Sequence, residues 1–304
     1  MNNVDRLRKN GTLTRGEFKA LLTDKQGEYL FAQAREVTEQ NFGNKIYTRG
    51  LIEFSNYCKQ NCLYCGLRCD NKKLERYRLN KEEILQCCAE GHDVDTFVLQ
   101  SGEDDFYTTE KMVDIIKAIR QRFPDYTVTL SLGEKDASAY QAYYDAGARR
   151  FLLRHETIDS GHYRKLHAGK REIATRIECL RQLKRIGFQT GSGIMVGSPW
   201  QTLDNIIDDI YFLGIFKPDM LGIGPYLVSR DTPFANRENG SLELTLRLLA
   251  IFRLMHPRVL MPATTALIFI HPQGREMGFL AGANVVMHSL TPSHVREKYR
   301  LYDK

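Results

Sequence analysis

Short apolar runs alternate with amphipathic stretches along most of this 304-residue chain, from residue 51 onward. The apolar runs predict eight strands, at residues 51–54, 96–100, 128–132, 150–153, 190–195, 220–223, 259–261 and 284–287. The stretches between them predict helices, at residues 80–90, 109–122, 140–146, 171–186, 202–216 and 241–255. Alternation of this kind is typical of parallel strands joined by right-handed crossovers. We therefore predict an α/β fold, a (β/α)8 barrel of the TIM type, over residues 51–304.

The first fifty residues have a different pattern, which predicts helices that precede the barrel. Thr14 and Glu17 have the spacing of a capping box, a reciprocal hydrogen-bonded pair at the start of a helix. A second helical stretch at residues 28–41 ends close to Gly43, a residue type that commonly terminates helices. We expect residues 1–50 to form a helical segment that covers the N-terminal end of the barrel.

Composition narrows the class of protein. Hydrophobic residues make up 42% and charged residues 26% of the chain, as in soluble globular proteins. The longest apolar run, residues 266–270, is too short to span a bilayer, and the N-terminus lacks the apolar segment of a signal peptide. The seven cysteines are odd in number and four of them cluster in one loop, which favours a reducing compartment. We expect a cytoplasmic protein with no membrane partner.

The loop after the first predicted strand contains the strongest chemical signal. Cys58, Cys62 and Cys65 form a C-x3-C-x2-C pattern there. Three thiolates from one loop can hold three irons of a [4Fe–4S] cluster, and the fourth iron then keeps the open position that a catalytic metal requires. A structural zinc site or unligated cysteines are the alternatives. Zinc would need a fourth ligand, and although Cys69 is nearby, the chain lacks the two C-x2-C pairs of a zinc knuckle.

Basic residues concentrate beside this loop, at Arg68, Lys72, Lys73, Arg76 and Arg78. The formal net charge of the chain is only +6, so the run is either a solvated face or a binding site for an anionic partner such as an electron donor. Aromatic residues do not interleave with the basic ones as they do in single-strand-binding proteins. We expect no nucleic acid partner.

The cysteine spacing, with Tyr64 directly before the last cysteine, resembles the signature of the radical S-adenosylmethionine (SAM) enzymes. In that superfamily the open iron chelates SAM, and one electron from the cluster cleaves SAM and releases a 5′-deoxyadenosyl radical. Further matches along nearly the whole chain resemble the radical SAM maturases of [FeFe]-hydrogenase. The resemblance implies a role in building the hydrogenase H-cluster, on a small sulfur-containing substrate derived from cysteine and bound to iron. With no cysteine after Cys179, we expect a single cluster.

The C-terminal ends of barrel strands are where catalytic residues lie. After the second predicted strand, Gly102 lets the backbone approach a ligand, and the carboxylate of Glu103 can bind an ammonium group. The resemblance implies a set of SAM-binding residues, namely Tyr64, Gln100, Gly102, Glu103, Glu156, Arg176 and Ile223. Among them, Glu103 would hold the amino group, Arg176 the carboxylate and Glu156 the ribose.

The resemblance also implies which residues surround the substrate. The substrate-binding residues would be Ser131, Met220, Thr264, Thr265 and Met287. Arg154 would point into the same cavity, and Tyr299 would close over it as a redox or proton-relay residue, so both are catalytic candidates. Arg154 and Glu156 project to the same side of an extended chain, which also fits a plain salt bridge at the barrel rim.

Two other functions compete with this interpretation. The first is another barrel radical SAM enzyme, of the biotin synthase and methylornithine synthase group. The second is a non-catalytic iron–sulfur carrier or an RNA-binding module, which would not need ligand-like groups at eight strand ends. For the enzyme, the expected partners are an electron donor such as a ferredoxin or flavodoxin, and other hydrogenase maturases.

Overall fold

A computed structural model of the protein describes residues 1–24, 27–168 and 171–303. Its strands are β1 (Tyr47–Ser55), β2 (Thr96–Ser101), β3 (Thr127–Ser131), β4 (Arg150–Leu152), β5 (Gln189–Val196), β6 (Met220–Pro225) and β7 (Val285–Ser289). The first helices are α1 (Asn3–Asn10), α2 (Arg15–Thr23), α3 (Gly27–Phe42), α4 (Lys81–Ala89), α5 (Thr109–Arg122), α6 (Ala137–Asp145) and α7 (Ser160–Leu166). The remaining helices are α8 (Ile173–Ile186), α9 (Leu203–Phe216), α10 (Leu242–Met255), α11 (Thr265–Ile270), α12 (Gly274–Leu280) and α13 (Ser293–Arg296).

All seven strands pair in parallel in one sheet, in the order β6-β5-β4-β3-β2-β1-β7. The sheet curls, and the helices surround it, so the predicted TIM-type α/β fold is confirmed. Because every strand runs the same way, the loops that follow the strands gather at one end of the barrel. None of the helices in the described part of the chain is long and apolar enough to cross a membrane.

The predicted strand at residues 259–261 is wrong as a regular strand. In its place, residues 259–263, here called the closing segment, make single bridges, from Leu260 to Met220 of β6 and from Pro262 to Val285 of β7. Backbone bonds from Leu221 N to Leu260 O (2.9 Å) and from Ala263 N to Val285 O (3.0 Å) complete the ring. Proline has no backbone N–H, so a ladder cannot continue through position 262.

Arg253, at the end of α10, ties the closing segment to the start of β7. Its side chain is fully buried and donates to the backbone carbonyls of Gly282, Pro257 and Val259, each at 2.9 Å. Burial lowers the pKa of Arg253 to about 10, because a charged guanidinium is less stable away from water. These carbonyls therefore stabilise the buried guanidinium, and through them Arg253 holds the closing segment next to the start of β7.

The helical N-terminal segment predicted from the sequence is present. α2 begins with the predicted capping box, in which Thr14 and Glu17 bond each other's backbone. Helices α1, α2 and α3 pack against α9, α10 and α12 in the outer helical layer. Thr38 of α3 also donates to the Gly282 carbonyl, in the loop before β7, at 3.4 Å. Their buried residues, such as Leu7, Phe18 and Leu30, join the apolar cluster between the sheet and α10.

Two facing glycines let β5 and β6 approach each other. Gly193 and Gly222 are register partners, and a Cβ added at Gly193 would lie only 2.0 Å from the Gly222 carbonyl oxygen. That neighbour is backbone in the middle of the sheet, so it cannot move aside without disturbing the pairing.

We predict that Gly193→Ala destabilises the fold, because the added methyl group has no space. The free energy of unfolding should fall by about 1–3 kcal/mol, the usual cost of overpacking a core. Gly16→Ala is the matched control, since a Cβ at Gly16 in α2 meets nothing within 4 Å. That change should leave stability unchanged or raise it by up to about 1 kcal/mol. Urea unfolding of both variants checks this, and equal stabilities would contradict it.

Candidate active site

A cavity of about 390 Å³ opens at the end of the barrel where the strands finish. This volume is within the range of small-molecule sites. Most residues proposed from the sequence line it, namely Tyr64, Cys65, Gln100, Ser131, Arg154, Glu156, Arg176, Thr264, Thr265, Met287 and Tyr299. The parallel strands thus bring together residues that are up to 235 positions apart, between Tyr64 and Tyr299.

Six of the proposed residues lie outside the cavity lining: Cys58, Cys62, Gly102 and Glu103, which lie in the loops after β1 and β2, and Met220 and Ile223 of β6. Met220 lies buried toward the other end of the barrel, where its sulfur accepts a hydrogen bond from Arg49 Nη1 at 3.3 Å. Ile223 is fully buried in the outer apolar cluster between the sheet and the helices. Side chains alternate along a strand, so Gly222 and Gly224 face the cavity while Ile223 faces away. The prediction that the Ile223 side chain contacts SAM is therefore wrong, because that side chain does not reach the cavity.

The cluster loop, residues 56–66, follows β1 and is clamped against the loop after β2. Lys59 N donates to Glu103 O at 2.9 Å. A Cβ at Gly102 would lie 2.2 Å from the Tyr57 carbonyl oxygen and 2.6 Å from Cys58 Cβ. A glycine is therefore required at position 102 so that the backbone can contact the cluster loop. The sequence had suggested another reason, a close approach of the backbone to SAM. Glu103 N in turn donates to Cys58 Sγ at 3.4 Å.

The three thiols of the cluster loop are partly buried and close to one another. Burial raises the pKa of Cys62 to about 11, although the nearby Arg171 opposes the shift. Burial and then the other two thiols raise the pKa of Cys65 further. The described residues contain no group of three or more His, Cys, Asp or Glu side chains arranged around a single ion. In a [4Fe–4S] cluster each cysteine would bind a separate iron, and three thiols from one loop fit that donor set.

A buried ionic network adjoins the cluster loop. Arg171 contacts Glu134 at 2.6 Å and Glu103 at 3.3 Å, and Arg176 contacts Glu134 at 2.7 Å and Glu103 at 3.7 Å. Although burial opposes ionisation, the two arginines hold the pKa of Glu134 below its usual value. Neither Glu134 nor Arg171 differs in the sequence from an ordinary surface charge, so sequence reasoning missed both. Two positive and two negative groups leave the network neutral in a site that excludes much of the water.

Arg154 and Glu156 form the ion pair that their spacing allows, at 3.1 Å on the cavity wall. Glu156 has a left-handed backbone conformation, with φ of 67°. Its N–H donates to Gly193 O at 3.0 Å, and its carbonyl accepts from Met195 N at 3.3 Å. A non-glycine residue in this conformation persists only where its surroundings hold it.

A fully buried triad behind the cavity wall supplies part of that restraint. His155, between the two residues of the ion pair, contacts Ser192 Oγ at 2.9 Å and Asp209 Oδ1 at 3.2 Å. The same Asp209 oxygen accepts from Ile158 N at 2.6 Å. Burial raises the pKa of Asp209, although its hydrogen bond with His155 opposes the shift. The triad anchors the chain immediately before and after Glu156, and α9, which carries Asp209, gives no sequence signal for this role.

A second histidine positions Tyr64. His167 Nδ1 lies 2.8 Å from the carbonyl of Tyr163, which can only accept, so this nitrogen carries the proton. Burial lowers the pKa of His167 to about 3, so the ring is neutral and its Nε2 can accept from Tyr64 OH at 3.4 Å. The Tyr64 ring also packs edge-on against His167. The aromatic face of Tyr64 is thereby held on the cavity wall.

Tyr299 and Glu53 also line the cavity wall. Burial raises the pKa of Tyr299 well above its usual value, so the phenol keeps its proton at neutral pH. In the sequence, Glu53 is simply one residue of the first predicted strand, and no site role was predicted for it. Its carboxylate accepts from Thr291 Oγ1 at 2.8 Å and Ser289 Oγ at 3.1 Å. This wall therefore combines a proton donor with a carboxylate that polar residues after β7 hold in place.

The sequence profile of the radical SAM superfamily matches residues 52–213, more than half of the chain. The chain belongs to the radical SAM superfamily, and it is a radical SAM enzyme that uses an iron–sulfur cluster and SAM. The matched region covers the cluster loop and the strands up to β5, which contribute the ionic network and Glu156.

Individual relatives extend the match over nearly the whole chain. The chain is 46% identical to the [FeFe] hydrogenase maturase subunit HydE of Thermotoga maritima over 277 residues, 90% of this chain and 79% of that protein. It is 30% identical to 3-methylornithine synthase of Methanosarcina barkeri over 310 residues, 99% of this chain and 86% of that one. The crystal structure of a methylornithine synthase superposes with a TM-score of 0.85 at 28% identity, covering 94% and 85% of the two chains.

We predict that Asp209→Asn weakens SAM binding by roughly tenfold, because an unanchored His155 lets Glu156 leave its left-handed conformation. Asp208→Asn is the matched control, since Asp208 is the adjacent residue on α9 and pairs with Arg15 at the surface. Equilibrium dialysis with labelled SAM measures both variants after reconstitution. Iron content should stay unchanged in each, because the cysteines lie on another loop. Equal SAM affinity in the two variants would contradict a positioning role for Asp209.

Proposed function

We propose that this protein matures [FeFe]-hydrogenase, by reductive cleavage of SAM and radical attack on a small, iron-bound, cysteine-derived substrate of H-cluster assembly. The observation that carries the proposal is the 46% identity to HydE over 90% of the chain, together with a cavity lined by the residues expected for that substrate. The experiment that tests it is a coupled maturation assay, in which the reconstituted protein restores activity to immature hydrogenase.

The cysteine loop would hold one [4Fe–4S] cluster through Cys58, Cys62 and Cys65. When bound, the cluster would supply one electron to SAM, which splits into methionine and a 5′-deoxyadenosyl radical. The N–H of Glu103, which contacts Cys58 Sγ, would stabilise the electron-rich sulfur. Because the free thiols have raised pKa values, iron binding must displace their protons.

The ionic network would receive the amino-acid end of SAM. Glu103 would bind the amino group, and Arg176 would turn from Glu134 to the SAM carboxylate. Arg171 already contacts Glu134 at 2.6 Å, so this exchange leaves no carboxylate buried without a partner. Glu156 would hold the ribose, and Tyr64 and Gln100, both in the cavity wall, would contact the nucleoside.

The substrate would bind at the opposite end of the cavity, beside the closing segment. Thr264 Oγ1 and Arg154 Nε are buried without a hydrogen-bond partner, although their side chains line the cavity. Buried polar atoms are normally paired, so these two have bonding capacity for a polar or anionic ligand. Ser131, Thr265 and Met287 line the same space. Tyr299, protonated at neutral pH, would donate a proton or hydrogen atom and close the cavity.

Two partners follow from this chemistry. Each turnover needs an electron from outside the chain, for which a ferredoxin or flavodoxin is the expected donor. The product is an intermediate of metal-cluster assembly, so other hydrogenase maturases would supply the substrate or accept the product. We place this activity in the cytoplasm, where thiols stay reduced.

A methylornithine synthase activity is the second candidate. The 30% identity over 99% of the chain and the TM-score of 0.85 favour it over unrelated radical chemistry. Incubation with lysine, SAM and reductant separates the two, since only a synthase of this kind would rearrange the amino acid. Formation of methylornithine would replace the maturase proposal.

We predict that replacing Cys58, Cys62 or Cys65 by Ala abolishes cluster assembly and SAM cleavage, because each thiolate would hold one iron. Cys69→Ala is the matched control and should retain about four irons, the content of one [4Fe–4S] cluster. Iron and sulfide analysis of anaerobically purified protein provides the measurement. Loss of the cluster in Cys69→Ala with retention in the other three variants would show that the wrong cysteines were chosen.

We predict that Thr264→Val lowers hydrogenase maturation roughly tenfold, since it removes a hydrogen bond to substrate without changing side-chain volume. Cleavage of SAM by dithionite-reduced enzyme requires no substrate and should continue at the wild-type rate. Glu156→Ala should instead weaken SAM binding and slow both reactions. The paired measurement is 5′-deoxyadenosine formation and hydrogenase activation. A Thr264→Val enzyme that matures hydrogenase at the wild-type rate would exclude Thr264 from the substrate site.

A further inference from the structure

An exposed stack of aromatic and cationic side chains lies next to Cys58. It consists of Arg76, Tyr57, Arg78, Phe106 and Lys111, and is here called the aromatic–cation stack. The Arg78 guanidinium lies 3.7 Å from the Tyr57 ring centre and 4.7 Å from that of Phe106. Lys111 Nζ lies 3.5 Å from the Phe106 ring centre. The side chains form a continuous surface from the cluster loop to the start of α5.

The aromatic members of this surface are unusually exposed. Phe106 is 48% and Tyr57 36% accessible to solvent, although each could have packed into a core. Aromatic residues and arginine are the types enriched at protein–protein interfaces, where they act as anchors. Because these side chains already pack against one another, little side-chain conformational entropy would be lost when a partner binds.

The positive charge of this surface favours an acidic partner. The aromatic–cation stack contains three cations, Arg76, Arg78 and Lys111, and no carboxylate. The nearby Lys59, Lys73 and Lys81 are each paired with an aspartate, so the positive charge of this region is that of the stack itself. Asp104, which pairs with Arg78 at 2.7 Å, is buried beneath the surface, with its side chain only 3% exposed. An outward-facing positive region of this kind attracts acidic proteins and steers their approach.

The cluster loop has two sides with different surroundings. On its inner side, Cys65 and Tyr64 line the cavity. On its outer side, Tyr57 belongs to the aromatic–cation stack and directly precedes Cys58. A partner on the stack would therefore sit one residue from a cluster ligand without obstructing the cavity. Electron transfer slows steeply with distance, so a donor bound on this side would be well placed to reduce the cluster.

We propose that the aromatic–cation stack is the docking surface for an acidic ferredoxin that reduces this enzyme. The step transfers one electron: the reduced ferredoxin is oxidised, and the cluster bound by the cysteine loop goes from the 2+ to the 1+ state, with no bond or proton exchanged. Ferredoxins fit because their iron–sulfur clusters have low reduction potentials. The inference rests on the proposed function for the need for an electron, but its surface is tested separately.

The test compares Lys111→Glu and Phe106→Ala with the matched control Lys117→Glu. Lys117 is an exposed lysine on the same helix, α5, six residues and so about 9 Å further from the cluster loop. Calorimetry at low ionic strength measures the Kd of oxidised ferredoxin for each reconstituted protein. Ferredoxin-driven and dithionite-driven 5′-deoxyadenosine formation are then measured on the same samples.

We expect Lys111→Glu to weaken ferredoxin binding roughly tenfold, and Phe106→Ala to weaken it roughly fivefold. Added salt should reduce the difference between Lys111→Glu and wild type. Lys117→Glu should bind as wild type, and all dithionite-driven rates should stay equal. Equal Kd values for Lys111→Glu and Lys117→Glu would overturn the docking surface, as would a preference of the stack for flavodoxin alone. Absence of dithionite-driven SAM cleavage in wild type would instead overturn the proposed function.

Discussion

The close contact between Gly102 and the Tyr57 carbonyl is the constraint on which the rest of the site depends. Parallel pairing of β1 with β2 brings their following loops side by side, and only a glycine allows the final approach. That approach places the N–H of Glu103 on Cys58 Sγ and its carboxylate in the ionic network. One backbone contact thus sets the distance between the thiols of the cluster loop and the group expected to hold SAM.

The two ends of the cavity differ in their electrostatic character. On the cluster side, Glu103, Glu134, Arg171 and Arg176 neutralise one another, so a zwitterionic ligand end can enter by exchange of partners and without a net change in buried charge. On the far side, Thr264 and Arg154 have unused donors, which favours a ligand that accepts hydrogen bonds. The same barrel can therefore bind its cofactor by exchange of ion-pair partners, and its substrate through hydrogen-bond donors that are still unused.

Much of the fold and cavity was predictable, because strand periodicity locates the strands and parallel strands gather the residues that follow them. Errors arose where a neighbour in space decides the outcome. Pro262 prevents a regular strand in an otherwise apolar run, and Ile223 faces outward because side chains alternate along β6. Glu134, with Arg171, and the pair of His155 with Asp209 were missed, since their partners lie far away in sequence and only the folded chain joins them.

The closing segment joins its neighbours by single bridges, whereas the other strands are paired along their length. Thr264 and Thr265 follow it directly, so the substrate end of the cavity is built on the most weakly paired part of the wall. Changes there need not disturb the ladders that carry the cluster loop. In the evolution of such barrels, substitutions beside the closing segment can therefore change the substrate while the strands that carry the cluster loop stay unchanged.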